Sequence, residues 1–220
     1  MYSLSAITEE EKVATDLLLN EQVDAVVHVV DAKNIERMLG LTLQLIEAGL
    51  PVILVLNMAD EAHQLGIKLD ISKLEQILGI PIVETTAVTG EGVKKLIDKI
   101  SAFPPVQSRQ IDYGATIENS ISVIAELLEV GAGVSNRTRA LLLLQGNSQA
   151  VDSLTCKNVP IDKGFVKKVT HDCLSQLEHS VHYHVTIAIQ GEVKKIVNQS
   201  VSFPDSRIKT FRERLSRFCM

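Results

Sequence analysis

Val52-Ile53-Leu54-Val55-Leu56-Asn57-Met58-Ala59-Asp60 is an apolar run that ends on two polar side chains three residues apart. Five aliphatic residues in a row, three of them β-branched, predict a short strand covered on both faces, as in a parallel sheet enclosed by helices. In such sheets ligands gather beyond the carboxyl ends of the strands. Asn57 and Asp60 therefore stand where binding chemistry is expected.

Working outward, the same kind of run occurs on either side. Asp24-Ala-Val-Val-His-Val-Val-Asp31 predicts a strand before it, and Pro81-Ile-Val-Glu84 a strand after it. Between the first two, Ile35, Leu39, Leu43, Ile46 and Leu50 recur at helical spacing, with Gly49 and Pro51 as stop signals. Between the second and third, a helix is expected from Ala59 to Leu65. Another, capped by Ser72 with Glu75 three residues on, should run to Leu78 before Gly79. Glu91 to Ala102 is a further helix. Thr8-Glu-Glu-Glu11 forms a capping box for one at residues 9–19. Strands alternating with helices in this way give βαβ units. The predicted fold class is α/β: a parallel sheet of three strands, followed by a mostly α-helical domain; the resemblance given below implies that these are the last three strands of a P-loop GTPase-type sheet.

Residues 103–110, Phe-Pro-Pro-Val-Gln-Ser-Arg-Gln, break the pattern and are taken as a linker. Helical periodicity then covers 117–130, 136–145, 163–177 and 181–201, and Phe203-Pro204 ends it. The domain expectation is 1–102, linker 103–110, helical domain 111–203 and basic segment 204–220. With 45% hydrophobic residues but only 4% aromatic and no Trp, the cores must be aliphatic. No apolar run is long enough to span a bilayer, and the acidic start carries no secretory h-region. Cys156, Cys173 and Cys219 are too scattered for a disulfide framework or a zinc site. The net charge of −5 conceals a tail: from Glu192 onward seven Lys/Arg face three Asp/Glu, +4 against −9 elsewhere. That suits a membrane surface; the acidic, aromatic-poor remainder argues against nucleic acid.

Three polar strand ends hold the candidate site: Asp31-Ala-Lys-Asn34, Asn57-Met-Ala-Asp60 and Thr85-Thr-Ala-Val-Thr-Gly-Glu-Gly92. Asn57-x-x-Asp60 resembles the guanine-specificity motif of GTPases. A carboxylate at Asp60 can accept both the ring N–H and the exocyclic amine of guanine, a pairing adenine cannot offer. Asn57 can accept and donate, tying neighbouring loops together. Thr86-Ala87-Val88 lies where such proteins place Ser-Ala-Lys, with the Ala87 amide expected to meet the guanine carbonyl and Val88 replacing the usual cation. Met58 completes the expected guanine-binding set of Asn57, Met58, Asp60, Thr86, Ala87 and Val88. Asp31 and Asn34 are expected to cap a helix. His179, His182 and His184, with His171 and Cys173 nearby, lack a carboxylate at ligand spacing and are taken as polar surface.

Together these motifs resemble the G domain of the ferrous iron transport protein B (FeoB) family across residues 2–102. Also family-like are Asn20-Glu21, Asn34-Ile-Glu-Arg37, Leu-Thr-Leu-Gln-Leu45, Asn57-Met-Ala-Asp-Glu-Ala62, Gly66-Ile-Lys-Leu-Asp70 and Thr89-Gly-Glu-Gly92. Residues 111–201 resemble, less sharply, the helical domain that follows. The resemblance implies a cytoplasmic part of a transporter at the bacterial inner membrane, using GTP/GDP to regulate Fe2+ uptake. The basic tail would then lead to the membrane part. Tyr2, Ser3 and Leu4 match the remnant of the family's second switch.

One departure is large. No Gly-x-x-x-x-Gly-Lys-Ser/Thr loop occurs in the 220 residues, and that loop holds the phosphates and the Mg2+. The chain is therefore expected to lack catalytic residues, resident metal and significant GTPase turnover by itself. A rival expectation is a non-catalytic interaction module, docking on a partner chain that supplies the missing half or forming a homo-oligomer.

Overall fold

The computed structural model describes Leu4 and residues 9–102, 109–128, 133–147 and 162–204. Tyr2, Ser3, Thr8 of the capping box, residues 103–108, Cys156, Cys219 and the tail from Asp205 lie outside the described residues.

Strands β1 (Val26–Asp31), β2 (Val52–Asn57) and β4 (Ile82–Glu84) form a parallel sheet in the order β1-β2-β4. β2 is central, and Val52 through Leu56 are all buried, which is why its sequence shows no alternation. Register decides which residue faces where. His28 pairs with Leu54, Val30 with Leu56 and Leu54 with Ile82, so these share one face. On that face lie α2 (Ile35–Glu47) and α4 (Ile71–Leu78), contributing the fully buried Ile35, Leu39, Leu43, Ile46, Leu74 and Leu78. Each such side chain contributes about 1.5–3 kcal/mol of hydrophobic stabilisation. His28 faces the same way, its Nδ1 2.9 Å from Thr42 Oγ1. Burial pushes its pKa down to about 4.

The opposite face is thinner. Ile53, Val55 and Val83 form a small separate core against Leu96 of α5 (Val93–Ser101). The remaining α/β elements are α1 (Glu9–Asn20), α3 (Ala59–Gln64) and the two-residue β3 (Lys68–Leu69).

Beyond residue 109 come α6 (Ala115–Glu126), α7 (Asn136–Leu144), α8 (Lys163–Ser175), α9 (Val181–Ser200) and β5 (Val201–Ser202). These helices do not form an isolated core. α9 packs on α2 and α4, crossing where Gly40 has no side chain; a Cβ there would meet Ile189 Cγ2 at 3.3 Å. One apolar cluster runs through both segments, with Leu39 and Ile46 in the same body as Ile117, Ile189 and Ile196. β5 closes the arrangement by pairing antiparallel with β3, Leu69 opposite Val201, and the Asp70 amide donates to Ser200 O at 2.8 Å.

A buried polar knot adds to this seam. Glu47, at the end of α2, accepts from Tyr113 Oη, from the Ile111 amide at 3.2 Å and from Arg137 Nε at 3.1 Å. Arg137 also forks onto both oxygens of Glu118 and donates to Ile111 O. Desolvation raises the Glu47 pKa despite its partners. Hydrogen bonding to Arg137 holds Glu118 below its usual range.

Two local expectations need correction. α4 is capped by Asp70, whose Oδ1 accepts from the Lys73 amide at 3.0 Å, not by Ser72. Glu75 is thereby released to accept from the Ile82 amide of β4 at 2.9 Å. α6 begins at Ala115, two residues before Ile117, following Gly114 in a positive-φ conformation. Leu4, expected in a switch remnant, is buried against α2, its amide donating to Gln44 Oε1 at 2.9 Å. No described helix is long and apolar enough to cross a membrane.

Candidate functional site

Parallel pairing brings the carboxyl ends of the three strands level. Asp31 lies opposite Asn57, and Leu56 opposite Glu84. Each chain then turns, and the turn geometry positions the side chains.

After β2, Met58 adopts φ 58° and ψ 37°, and no other non-glycine among the described residues has positive φ. The left-handed turn costs of order 1 kcal/mol for such a residue and recurs at functional sites. It sends the chain sharply into α3, leaving Met58 40% exposed, Ala59 buried and Asp60 exposed on the first turn. The Ala59 amide donates to Thr85 O at 3.2 Å, locking this turn to the next one.

After β4, Thr85 and Thr86 are buried and turn their hydroxyls toward the first loop. Thr85 Oγ1 donates to Asn57 Oδ1 at 3.1 Å, and Thr86 Oγ1 to Asp60 Oδ1 at 3.3 Å. The Ala87 amide also donates to Asn57 Oδ1, at 3.1 Å. Asn57 is thus a double acceptor that ties the two loops together. The loop closes through Thr86 and Glu91, with the Thr86 amide donating to Glu91 O at 3.1 Å. Gly92 is required there: φ is +78°, and a Cβ would come within 2.1 Å of Glu84 O.

All six residues of the candidate set gather at this edge. One expected role shifts. The Ala87 amide is engaged by Asn57, so a ligand carbonyl must share that donor or use the Val88 amide, which makes no hydrogen bond among the described residues. The Val88 side chain is 99% exposed. Asn57 Nδ2 and Asp60 Oδ2 are likewise without hydrogen-bond partners among the described residues. The rim therefore offers a carboxylate acceptor, an amide donor and a main-chain donor beside an exposed thioether. That is the complement of a planar base edge with two N–H donors and one carbonyl.

Two residues at the site escape a reading by motif. Thr85 supplies the second tie to Asn57. Lys33 forms an ion pair with Glu61 of α3, raising the Lys33 pKa and joining the β1 loop to the β2 loop. The alternating strand ends signal that these loops converge, but nothing in a 28-residue separation signals the pair. Asp31 caps a 3-10 turn (Ala32–Asn34), accepting from the Lys33 amide at 2.9 Å. Asn34 caps nothing; its Nδ2 donates to Asp31 instead. Of the histidines, His179 precedes α9, and His182 and His184 lie on its first turn. His179 stacks edge-on to Tyr183 with centroids 4.5 Å apart, and no group of three or more potential ligands converges among the described residues. A cavity of about 450 Å³ lies between the start of α2 and α9, lined by Lys33, Arg37, Ile189 and Lys194, beside the strand ends but not over them.

Comparison with known proteins follows the same division. Residues 1–100 match the family model described as ferrous iron transport protein B, and residues 113–202 match the FeoB cytosolic helical domain. The Fe(2+) transporter FeoB of Staphylococcus aureus (strain MSSA476) is 30% identical over 232 residues, which span 98% of this chain and 33% of the relative. That of Escherichia coli (strain K12) is 32% identical over 154 residues, 66% of this chain and 20% of the relative. The chain thus spans about a third of the first of these relatives and less of the other. Among solved structures, a GDP-bound S. thermophilus NFeoB mutant is similar with a TM-score of 0.78 and 30% identity, covering 92% of this chain and 78% of that one. The cytosolic domain of the T. maritima FeoB iron transporter in its GMPPNP form gives 0.76 and 27%, covering 92% and 77%.

Proposed function

Because the chain belongs to the ferrous iron transport protein B family, we propose that it recognises guanine as part of the cytosolic region of a Fe2+ transporter. The observation that carries this is the tie between the β2 and β4 loops through Asn57, beside which Asp60 is exposed and its Oδ2 has no hydrogen-bond partner among the described residues. Asp60 accepts the ring N–H and exocyclic amine of guanine. The Val88 amide, with that of Ala87, donates to its carbonyl, and Met58 packs on the base. Thr86 orients the Asp60 carboxylate. In the full transporter, nucleotide state at this edge regulates Fe2+ uptake, with residues 1–102 as the guanine-reading portion and 111–203 as the helical domain. Segment 204–220, with five Lys/Arg against two Asp/Glu, suits the cytoplasmic side of the membrane part.

Phosphate and Mg2+ handling is a separate matter. The residues present do not fit that role: the sequence holds no Gly-x-x-x-x-Gly-Lys-Ser/Thr loop, and no acidic cluster converges among the described residues. The 220-residue chain therefore reads the base and does not cleave the nucleotide.

Base exchange tests the reading. Xanthine replaces the guanine amine by a carbonyl, so Asp60→Asn, which can donate, should reverse the preference between GDP and the xanthosine diphosphate in equilibrium dialysis. The change expected is tenfold or more, about 1.4 kcal/mol or greater. An unchanged preference sinks the assignment of Asp60.

A further inference from the structure

The cavity of about 450 Å³ between the start of α2 and α9 has walls of two kinds. One is apolar: Gly40 with the buried Ile189 and Val193, and the half-exposed ring of Phe203. The other is cationic. Lys33 and Arg37 come from the β1 loop and the first turn of α2, and Lys194 comes from α9; Glu36 is the one acid among the lining residues. Small-molecule sites commonly enclose roughly 300–1,000 Å³ and combine an apolar lining with a few convergent polar groups. This hollow has that size and that build.

The charges say what fits. The chain as a whole carries −5, so three cations around one hollow stand out from its surface, and low-dielectric walls concentrate their field. Adjacent lysines show the contrast. Lys195 pairs with Glu192 at 2.6 Å, whereas Lys194, exposed and lining the cavity, has no ion-pair partner among the described residues. Lys33 is held by Glu61 on the first turn of α3, a carboxylate that is 51% exposed. Ion pairs to exposed carboxylates are weak, so an anion entering the cavity can compete for Lys33. The planar fork of Arg37 suits two oxygens of a carboxylate or phosphate.

We propose that this cavity binds a small organic anion: a flat apolar body lying against Ile189, Val193 and Phe203, bearing a phosphate or carboxylate held by Arg37, Lys194 and Lys33. A bare inorganic anion leaves the apolar wall wet, and a neutral body leaves the cations unanswered, so neither half of the ligand suffices. Lys33 also ties the β1 loop to Glu61, the residue after Asp60. Occupancy of the cavity therefore loosens that tie. The site rests on its own geometry and does not depend on the guanine reading above.

The test titrates the full chain, 15N-labelled, with 1-naphthyl phosphate, 1-naphthoate, 1-naphthol and inorganic phosphate. The two naphthyl anions should bind once per chain and move the amides of Arg37, Gly40, Ile189 and Lys194. Naphthol and inorganic phosphate should each bind roughly tenfold more weakly or worse, a difference of about 1.4 kcal/mol. Arg37→Gln and Lys194→Gln, both at exposed positions, should weaken the anions without changing thermal melting. Lys33→Met should weaken them too, whereas Glu61→Gln, which releases Lys33, should tighten them; a merely structural role for the pair would not move affinity in opposite directions. GDP should not displace the probe. Naphthol bound as tightly as the anions, shifts confined to the exposed Val93 and Ile97 of α5, indifference to Arg37→Gln and Lys194→Gln, the same direction of change in Lys33→Met and Glu61→Gln, or displacement by GDP overturns the proposal.

Discussion

Asn57 and Ala87, 30 residues apart, are joined by a hydrogen bond of 3.1 Å from the Ala87 amide to Asn57 Oδ1, an oxygen that also accepts from Thr85. The edge proposed to read the base is therefore a single assembly of two loops, and Asn57 acts from inside it. Its contribution is to hold Asp60 and Val88 in fixed relation.

Replacing Asn57 by Ala removes that acceptor and leaves the buried Thr85 hydroxyl unpaired. The expected loss is about 1–3 kcal/mol, measured by urea denaturation. Guanosine binding should disappear as well. A variant of wild-type stability that still binds would show that the loops are held some other way.

The two loop glycines should separate. A Cβ at Gly90 meets nothing within 4 Å, whereas one at Gly92 strikes the Glu84 carbonyl. Gly90→Ala should cost about 1 kcal/mol from its left-handed φ alone. Gly92→Ala adds a backbone clash and should cost at least about 2 kcal/mol more. Equal melting temperatures for the two variants would contradict the close approach.

At the seam between α2 and the helices beyond it, Arg137→Met strands Glu47 in a buried position. The expected cost is about 3–5 kcal/mol. Adding Glu47→Leu should recover part of it, because the uncompensated charge goes too. A double variant no more stable than Arg137→Met would show that packing, not charge pairing, sets this seam.

His28 gives stability a pH dependence. Its folded pKa, about 4, lies below the 6.5 of an unfolded chain. The unfolded state thus binds more protons between those values, and stability falls as pH drops from 6.5 to 4. The loss attributable to this residue is at most about 3 kcal/mol. In His28→Gln, denaturation midpoints should vary less across that window; an equal slope would exclude His28 as the source.

The parts of this fold that depend on local periodicity were readable in advance. β2 shows itself as an unbroken aliphatic run because both faces are covered, and α2 by apolar residues every three or four positions. The strand ends followed, so Asn57, Asp60 and Thr86 could be placed together before any coordinates. Features that depend on distant partners were not readable. β3 and β5 are two residues each and meet across more than a hundred positions. Asp70 and Ser72 both suit a helix cap, and only the strand amide waiting for Glu75 decides between them. Glu47 resembles any polar residue at a helix end; its burial comes from Tyr113 and Arg137, which periodicity does not connect to it. The engagement of the Ala87 amide by Asn57 was hidden for the same reason.

On the proposed reading, the loops at Asn57–Asp60 and Thr85–Val88 read guanine without help from a phosphate site in this chain. Amide chemical shifts of the 15N-labelled protein during titration with guanosine, GDP and adenosine test it most directly. Guanosine and GDP should move the Asp60, Ala87 and Val88 amides along the same path with dissociation constants within about threefold, a difference under about 0.7 kcal/mol, and adenosine should move none of them. Equal response to adenosine would show that these loops do not select guanine, and GDP bound tenfold more tightly than guanosine would show that the chain also holds the phosphates.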